Sequence, residues 1–243
     1  MKLLIIRHGD PDYEHDSLTD RGRLEAAALA DYYKDYKIDK FYVSPLGRAQ
    51  LTAKYMMDAK GVTGTTCDWM REFAPAVKRP DLVVRERSCC WDWLPQDWTE
   101  IDEFYDADKW YKHPIMAEAG IEKEYKWVCD GLDELLANHG YVRDGRKYKV
   151  TKGNDDTIAL VCHFGLESVL LSHLMSVSPM ILWHGMCAAP TSVTTVYTEE
   201  RREGIASFRV RRFGEVAHLN AADIEPSKHA AFREWMGEDG RID

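Results

Sequence analysis

Four apolar residues in a row, Leu3-Leu4-Ile5-Ile6, stand between Lys2 and Arg7 and then give way to Arg7-His8-Gly9. A short apolar run bounded by polar residues and glycine predicts a buried strand. A polar stretch rich in Asp and Pro follows, and Ser17-Leu18-Thr19-Asp20 opens a helical pattern. Thr19 is its expected N-cap, with Gly22, Leu24, Ala27, Ala28 and Leu29 on the following turns. Phe41-Tyr42-Val43 predicts a second strand, ending at Ser44-Pro45. Residues 46–58 predict a helix, and Pro45 sits where the start of a helix tolerates it. Strand, polar loop and helix, repeated, predict an α/β three-layer sandwich with a mostly parallel central sheet flanked by helices.

That rhythm breaks over residues 75–155, which hold Trp91, Trp93, Trp98, Trp110 and Trp127, several prolines and many acids. Within the stretch, residues 122–138 space Tyr125, Val128, Leu132, Leu135 and Leu136 as one face of an amphipathic helix. The whole reads as an inserted cap over one end of the sheet, in a single domain spanning 1–243. Its tryptophans are expected to form a small core of the cap's own, with a stacking wall for a substrate as the alternative. The rhythm resumes with a buried strand over 157–162, then His163-Phe164-Gly165 and a helix through Met175. Residues 192–197 and 205–213 flank a charged turn containing Gly204 and predict an antiparallel hairpin at the sheet edge. The arginines at 201, 202, 209, 211 and 212 read as the solvated charges of that edge.

Composition narrows the function classes. The chain has 243 residues, 45% of them hydrophobic, enough for a sizeable core; a domain of this size buries about 70–75% of its unfolded surface. Thirty-two basic against 41 acidic side chains give a formal charge of −9, which argues against a general nucleic-acid binder. No stretch approaches the roughly 18 uninterrupted apolar residues of a membrane span, and the apolar run near Met1 is too short for a signal-peptide core. The six cysteines are scattered, and Cys89 and Cys90 are adjacent, a pattern that suits neither a disulfide framework nor metal knuckles. Reduced thiols in a cytoplasmic protein are the expectation. No feature of the sequence sets the oligomeric state.

Three loops lie at the carboxyl ends of predicted strands: Arg7-His8-Gly9, Ser44-Pro45-Leu46-Gly47-Arg48, and His163-Phe164-Gly165. Loops at that edge of an open α/β sheet converge on the ligand crevice. They bring two histidines and two arginines together, each near a helix start whose amides can bind anions. Forked guanidinium groups match phosphate oxygens, and a neutral imidazole among them is a competent phosphoryl acceptor. A carboxylic acid must still protonate the leaving alcohol. Glu72, at the entrance to the cap, is the best-placed candidate, with Asp10, Asp12 and Glu86 as substitutes. Gly9, Thr19 and His184 are further candidates for the pocket, His184 with a structural role as the equal alternative. No His/Asp cluster has metal-ligand spacing, so no metal or other cofactor is expected.

Taken in order, these elements resemble the histidine phosphatase superfamily, also called phosphoglycerate mutase-like. The resemblance rests on strand-Arg7-His8-Gly9, Leu18-Thr19-Asp20-Arg21-Gly22, the run from Ser44-Pro45-Leu46-Gly47-Arg48 through Ala53, Arg71-Glu72, and strand-Cys162-His163-Phe164-Gly165. Thr191-Ser192-Val193-Thr194 and Ala217-His218-Leu219 look like the family's last strands. It spans about residues 1–74 and 156–220. The resemblance implies that His8 is the nucleophile that becomes a phosphohistidine, and that Arg7, Arg48 and His163 hold the phosphoryl oxygens. It implies that Glu72 donates the proton and then activates water, that no metal takes part, and that the substrate is a small phosphorylated metabolite. The family's mutases carry a longer loop after Arg-His-Gly, with a Trp-Asn pair; here ten residues separate His8 from Thr19. That favours hydrolysis over the alternative of a phosphomutase. A non-catalytic phospho-ligand binding module would not need the nucleophile–acid pairing.

Overall fold

The computed structural model describes residues 1–82 and 86–227. Eight strands form the main sheet: β1 (Lys2–Arg7), β2 (Lys40–Val43), β3 (Thr65–Thr66), β4 (Tyr141–Asp144), β5 (Lys147–Val150), β6 (Thr157–Cys162), β7 (Val193–Arg202) and β8 (Ile205–Glu215). Their order across the sheet is β3-β2-β6-β1-β7-β8-β5-β4. The first four run parallel, and β7, β8, β5 and β4 extend the sheet by antiparallel pairing. The principal helices are α1 (Asp20–Tyr33), α2 (Gly47–Lys60), α3 (Ile121–Asn138), α4 (Phe164–Met175), α5 (Pro179–Gly185) and α6 (Ala217–Ala221).

The period of two along β1 explains the layers. Leu4 and Ile6 face one core with Leu29 of α1, Ala53 and Met56 of α2, and Ala159 and Val161 of β6. Leu3 and Ile5 face the other, with Leu132 and Leu136 of α3 and Val169 and Leu170 of α4. A strand buried on both faces has to be apolar throughout, which is why Leu3-Leu4-Ile5-Ile6 shows no alternation. Thr19 caps α1 as expected, its hydroxyl accepting from the Gly22 amide at 3.0 Å.

Three expectations are revised. The C-terminal hairpin forms, but it is not the sheet's edge: β5 and β4, from the stretch read as a cap, pair outside it and make β4 the border. The cap's aromatics do not form a core of their own. Trp110 is fully buried against Trp183 of α5 and Tyr125 of α3, in the same cluster as Leu3 and Ile5. The loop is too rich in large aromatic surface to close on itself, and the apolar sheet face lies open to receive it. Finally, residues 217–219 are helical rather than a strand. His218 and Leu219 are adjacent and both buried, which the two-sided alternation of a strand at that position does not provide and a short helix against α1 does.

The first turn of α1 lies against the loop after His8 with no room for a side chain. A Cβ on Gly22 would stand 2.2 Å from the Asp10 carbonyl oxygen, and one on Gly9 would stand 2.8 Å from that of Gly22. Gly22→Ala is therefore expected to destabilise the fold by about 1–3 kcal/mol, as overpacking does. Chemical denaturation of the variant beside the parent measures this, and an unchanged midpoint would contradict the contact.

Candidate active site

Strand register assembles the site. β6 lies between β1 and β2, with Cys162 opposite Arg7 and Val161 opposite Val43. The next residue on each strand therefore emerges at the same edge: His8, Ser44 and His163. Backbone bonds hold each exit, the His8 amide to the Cys162 carbonyl at 2.9 Å and the Ser44 amide to that of Val161 at 3.0 Å. The two imidazoles end with ring centroids 5.1 Å apart, and both are buried.

Each ring has one nitrogen assigned by a neighbour. His8 Nδ1 lies 2.7 Å from the Gly9 carbonyl oxygen, so it donates there and Nε2 carries the lone pair of the neutral ring. His163 Nε2 lies 2.7 Å from the Ser44 hydroxyl. Its Nδ1 is buried with no hydrogen-bond partner among the described residues. Burial pushes the His163 pKa well below the ordinary histidine value, and the positive charge around His8, Arg48 and Arg7 pushes it further, so this ring is neutral.

The two guanidinium groups are anchored from behind. Arg7 donates from Nη1 to the Ala188 carbonyl at 2.5 Å. Arg48 donates from Nη1 to Asp16 Oδ1 at 2.6 Å, and Asp16 Oδ2 accepts from the Gly47 amide, also at 2.6 Å. Burial works to raise the Asp16 pKa, but the Gly47 amide and Arg48 outweigh it and hold the carboxyl below its usual range. Asp16 adopts a left-handed backbone, φ 45°, which turns its side chain onto the start of α2. Arg48 Nε, like His163 Nδ1, is buried without a partner.

Glu72 reaches the site from the loop after α2. Its Oε1 accepts from the Phe73 amide at 2.8 Å and the Leu166 amide at 3.0 Å, the latter in the first turn of α4. Burial of the carboxyl raises its pKa, opposed by Arg7, Arg48 and the two amides, while the residue as a whole keeps part of its surface open to solvent. Gly165 makes this possible: a Cβ there would stand 2.7 Å from both Glu72 Oε1 and Trp91 Nε1. Trp91, bonded to the Phe73 carbonyl at 2.8 Å, thus lies beside Gly165 together with Glu72.

Other candidates have other tasks. Gly9 donates to the Thr52 hydroxyl at 3.0 Å and belongs to the close contact with α1. Thr19 is the α1 cap and donates to Asp10 Oδ2 at 2.7 Å. Asp10 is in turn bonded by Ser227, Asp12 pairs with His15 at 2.8 Å, and Glu86 is exposed. His184 uses both nitrogens to tie Trp93 to α5: Nε2 accepts from the Trp93 amide at 2.9 Å, and Nδ1 donates to the Met180 carbonyl at 2.7 Å. Trp98 stacks over the same ring at 4.6 Å. Sequence reasoning did not single out Asp16, and it named Thr191 and His218 only as parts of expected strands. Thr191 holds the His8 carbonyl through its amide at 3.0 Å from a left-handed backbone, φ 57°. Its hydroxyl donates to the Pro190 carbonyl, so it accepts from His218 Nε2 at 2.9 Å. No short motif advertises such supports, because each acts across a long sequence separation. Among the described residues there is no group of three or more His, Cys, Asp or Glu able to hold a metal, and no helix is long and apolar enough to cross a membrane.

Paired imidazoles, paired guanidiniums and an enclosed carboxyl gather at the carboxyl edge of a parallel sheet on an α/β scaffold. Residues 3–101 match the sequence profile described as the histidine phosphatase superfamily (branch 1). It is 22% identical to phosphoserine phosphatase 1 of Hydrogenobacter thermophilus, an alignment covering 94% of this chain and 99% of that one. Its fold is shared with a phosphoserine phosphatase of Entamoeba histolytica solved with phosphoserine (TM-score 0.57, 19% identity, 90% and 98% of the two chains). It is also shared with mycobacterial glucosyl-3-phosphoglycerate phosphatase (TM-score 0.55, 17% identity, 88% and 98%).

The support beneath His8 has a measurable signature. Burial pushes the His218 pKa down to about 4. The unfolded chain therefore takes up a proton that the folded chain refuses, and stability falls as pH drops from about 6.5 towards 4. The loss is on the order of 3 kcal/mol. Urea denaturation between these pH values should show a smaller loss in His218→Gln than in the parent; equal losses would contradict the assignment.

Proposed function

We propose that this protein is a metal-independent phosphomonoesterase that hydrolyses a small phosphorylated metabolite through a phosphohistidine at His8. The observation that carries the reading is the pair of buried, partnerless nitrogens, His163 Nδ1 and Arg48 Nε, beside His8. Buried polar groups are ordinarily satisfied, and a tetrahedral anion with several acceptor oxygens supplies what these nitrogens lack. Similarity to a phosphoserine phosphatase and a glucosyl-3-phosphoglycerate phosphatase supports a small phosphomonoester as substrate. The net charge of −9 speaks for a metabolite rather than a nucleic acid.

In the first step Arg7, Arg48 and His163 seat the phosphoryl oxygens and His8 Nε2 attacks phosphorus in line. The bond to the leaving oxygen breaks as negative charge on the transferring group meets the two guanidiniums. Glu72, whose pKa burial raises, gives its proton to the departing alkoxide. In the second step the Glu72 carboxylate removes a proton from water, whose oxygen attacks the phosphohistidine. Inorganic phosphate leaves, and His8 and Glu72 return to their starting forms. A neutral His163 suits this cycle because it donates to the phosphoryl group without adding a cation that would repel Arg7 and Arg48.

The chain acts, in this reading, as one catalytic unit. Residues from the 75–155 stretch wall the site at Trp91 and select the leaving group. The free thiols support a reducing cytoplasmic setting.

His8→Ala should reduce hydrolysis of p-nitrophenyl phosphate to background, with the parent's activity indifferent to chelator. Full activity in the variant would overturn the mechanism. Glu72→Gln should slow an alkyl phosphate by about 10²–10⁴-fold while p-nitrophenyl phosphate, whose leaving group needs little protonation, is slowed far less. Equal slowing of both esters would remove Glu72 from the acid's role.

A further inference from the structure

Glu167 is buried in the first turn of α4, four residues beyond His163, whose carbonyl accepts from the Glu167 amide at 2.8 Å. The mechanism above does not use it. Neither carboxyl oxygen makes a hydrogen bond of good geometry among the described residues, and the side-chain donor that faces it is the Thr194 hydroxyl. The Leu166 amide beside it is already held by Glu72. A carboxyl at 1% exposure with no well-formed hydrogen bond is costly in its charged form, and an apolar side chain of the same shape would pack there without that cost. A group so placed one helical turn from His163 calls for a reason in the chemistry of the phosphoryl site.

Its surroundings supply one. From β1 the Arg7 guanidinium attracts a negative charge on Glu167; from the loop after α2 the Glu72 carboxyl opposes it. From β7 the Thr194 hydroxyl faces it; that oxygen accepts from the Gly214 amide at 3.0 Å, so its hydrogen is available to the carboxyl. From β6 the group nearby is the Cys162 thiol, kept neutral by burial, and at the N-cap of α4 it is neutral His163. On the α5 side Trp183 Nε1 is spent on the Gly165 carbonyl at 2.9 Å. Arg7 is thus the positive group that faces Glu167, and it is the same cation that receives a phosphoryl group.

We propose that Glu167 is a positioning residue that serves as a charge counterweight to Arg7, ionised while the site is empty and protonated when an anion occupies it. Resting on the phosphoryl-site reading above, this deepens it: binding of the anion draws one proton from solvent onto the Glu167 carboxylate. Two negative charges that share the field of one guanidinium repel through a medium with little water to screen them. Of the two, only the carboxylate can be neutralised by gaining a proton without leaving the site. Release of phosphate restores the attraction of Arg7 and the proton departs. Burial sets the Glu167 pKa at about 7, so the exchange falls at ordinary pH. Below that value Glu167 is already neutral and binding costs nothing extra. Above it, affinity declines by up to tenfold per pH unit, the limit for one linked proton.

The test uses the whole protein and inorganic sulfate, a dianion whose own charge does not change between about pH 5.5 and 8.5. Calorimetric titrations in buffers of different ionisation heat give the protons taken up with each sulfate bound. The parent should take up more protons near pH 7 than Glu167→Gln does, and its sulfate affinity should fall above that pH while the variant's profile stays flatter. Histidine titrations common to both proteins cancel in the comparison. A merely structural role for Glu167 would not change the proton count. Equal proton uptake in parent and variant, with sulfate still displaced by Arg48→Ala, overturns the counterweight alone. Sulfate binding insensitive to Arg48→Ala, or no sulfate binding at all, overturns the phosphoryl-site reading and the counterweight with it. Should Glu167→Gln not fold, Thr194→Val carries the test. Loss of that hydroxyl should move the decline in affinity to higher pH, and an unmoved decline overturns the proposal.

Discussion

The placement of β6 between β1 and β2, with Cys162 opposite Arg7, is the constraint on which the site depends. Side chains along a strand alternate with a period of two, so a slip of one residue would turn every buried side chain of β6 to the opposite face. It would also displace His163 from His8 by one strand position, about 3.3 Å. Leu160 and Cys162 belong to one core and Ala159 and Val161 to the other. Packing on both faces therefore enforces the register that sets the imidazoles 5.1 Å apart. The same apolar residues that stabilise the fold position the chemistry.

Electrostatics at that edge are local and run against the rest of the molecule. A chain of net charge −9 concentrates two buried arginines and two buried histidines in one place. Burial resolves the crowding: His163 remains neutral because burial and the neighbouring positive charge act in the same direction, whereas Glu72 is pulled both ways. Asp16 steadies Arg48 from the open side while the Ala188 carbonyl steadies Arg7. Net charge governs solubility and long-range steering; the pocket answers only to its own few residues.

Much of this was legible beforehand. Leu3-Leu4-Ile5-Ile6, the Thr19 cap and the three polar loops after strands each carry a local signal, and those signals locate Arg7, His8, Arg48 and His163 at one edge. The stretch 75–155 was not legible in the same way. Trp110 looked like part of a self-contained aromatic cluster, yet it inserts between Trp183 and Tyr125 on the sheet face. His184 stood equally between a pocket and a structural role, and it ties Trp93 to α5. Local composition reports that a side chain is apolar or polar, not which distant surface completes it.

The amino-acid order alone established the α/β alternation, the strand-end loops and the residue types gathered there, because propensity and periodicity act over a few neighbouring positions. Only the tertiary structure decided that β4 and β5 border the sheet, that Asp16 clamps Arg48 and that Thr191 and His218 underpin His8. It alone buried Glu167 in the field of Arg7. Those contacts join residues 32, 27 and 183 positions apart or more. Their existence depends on which surfaces remain to be covered once the sheet has formed, a quantity that no local stretch of sequence contains.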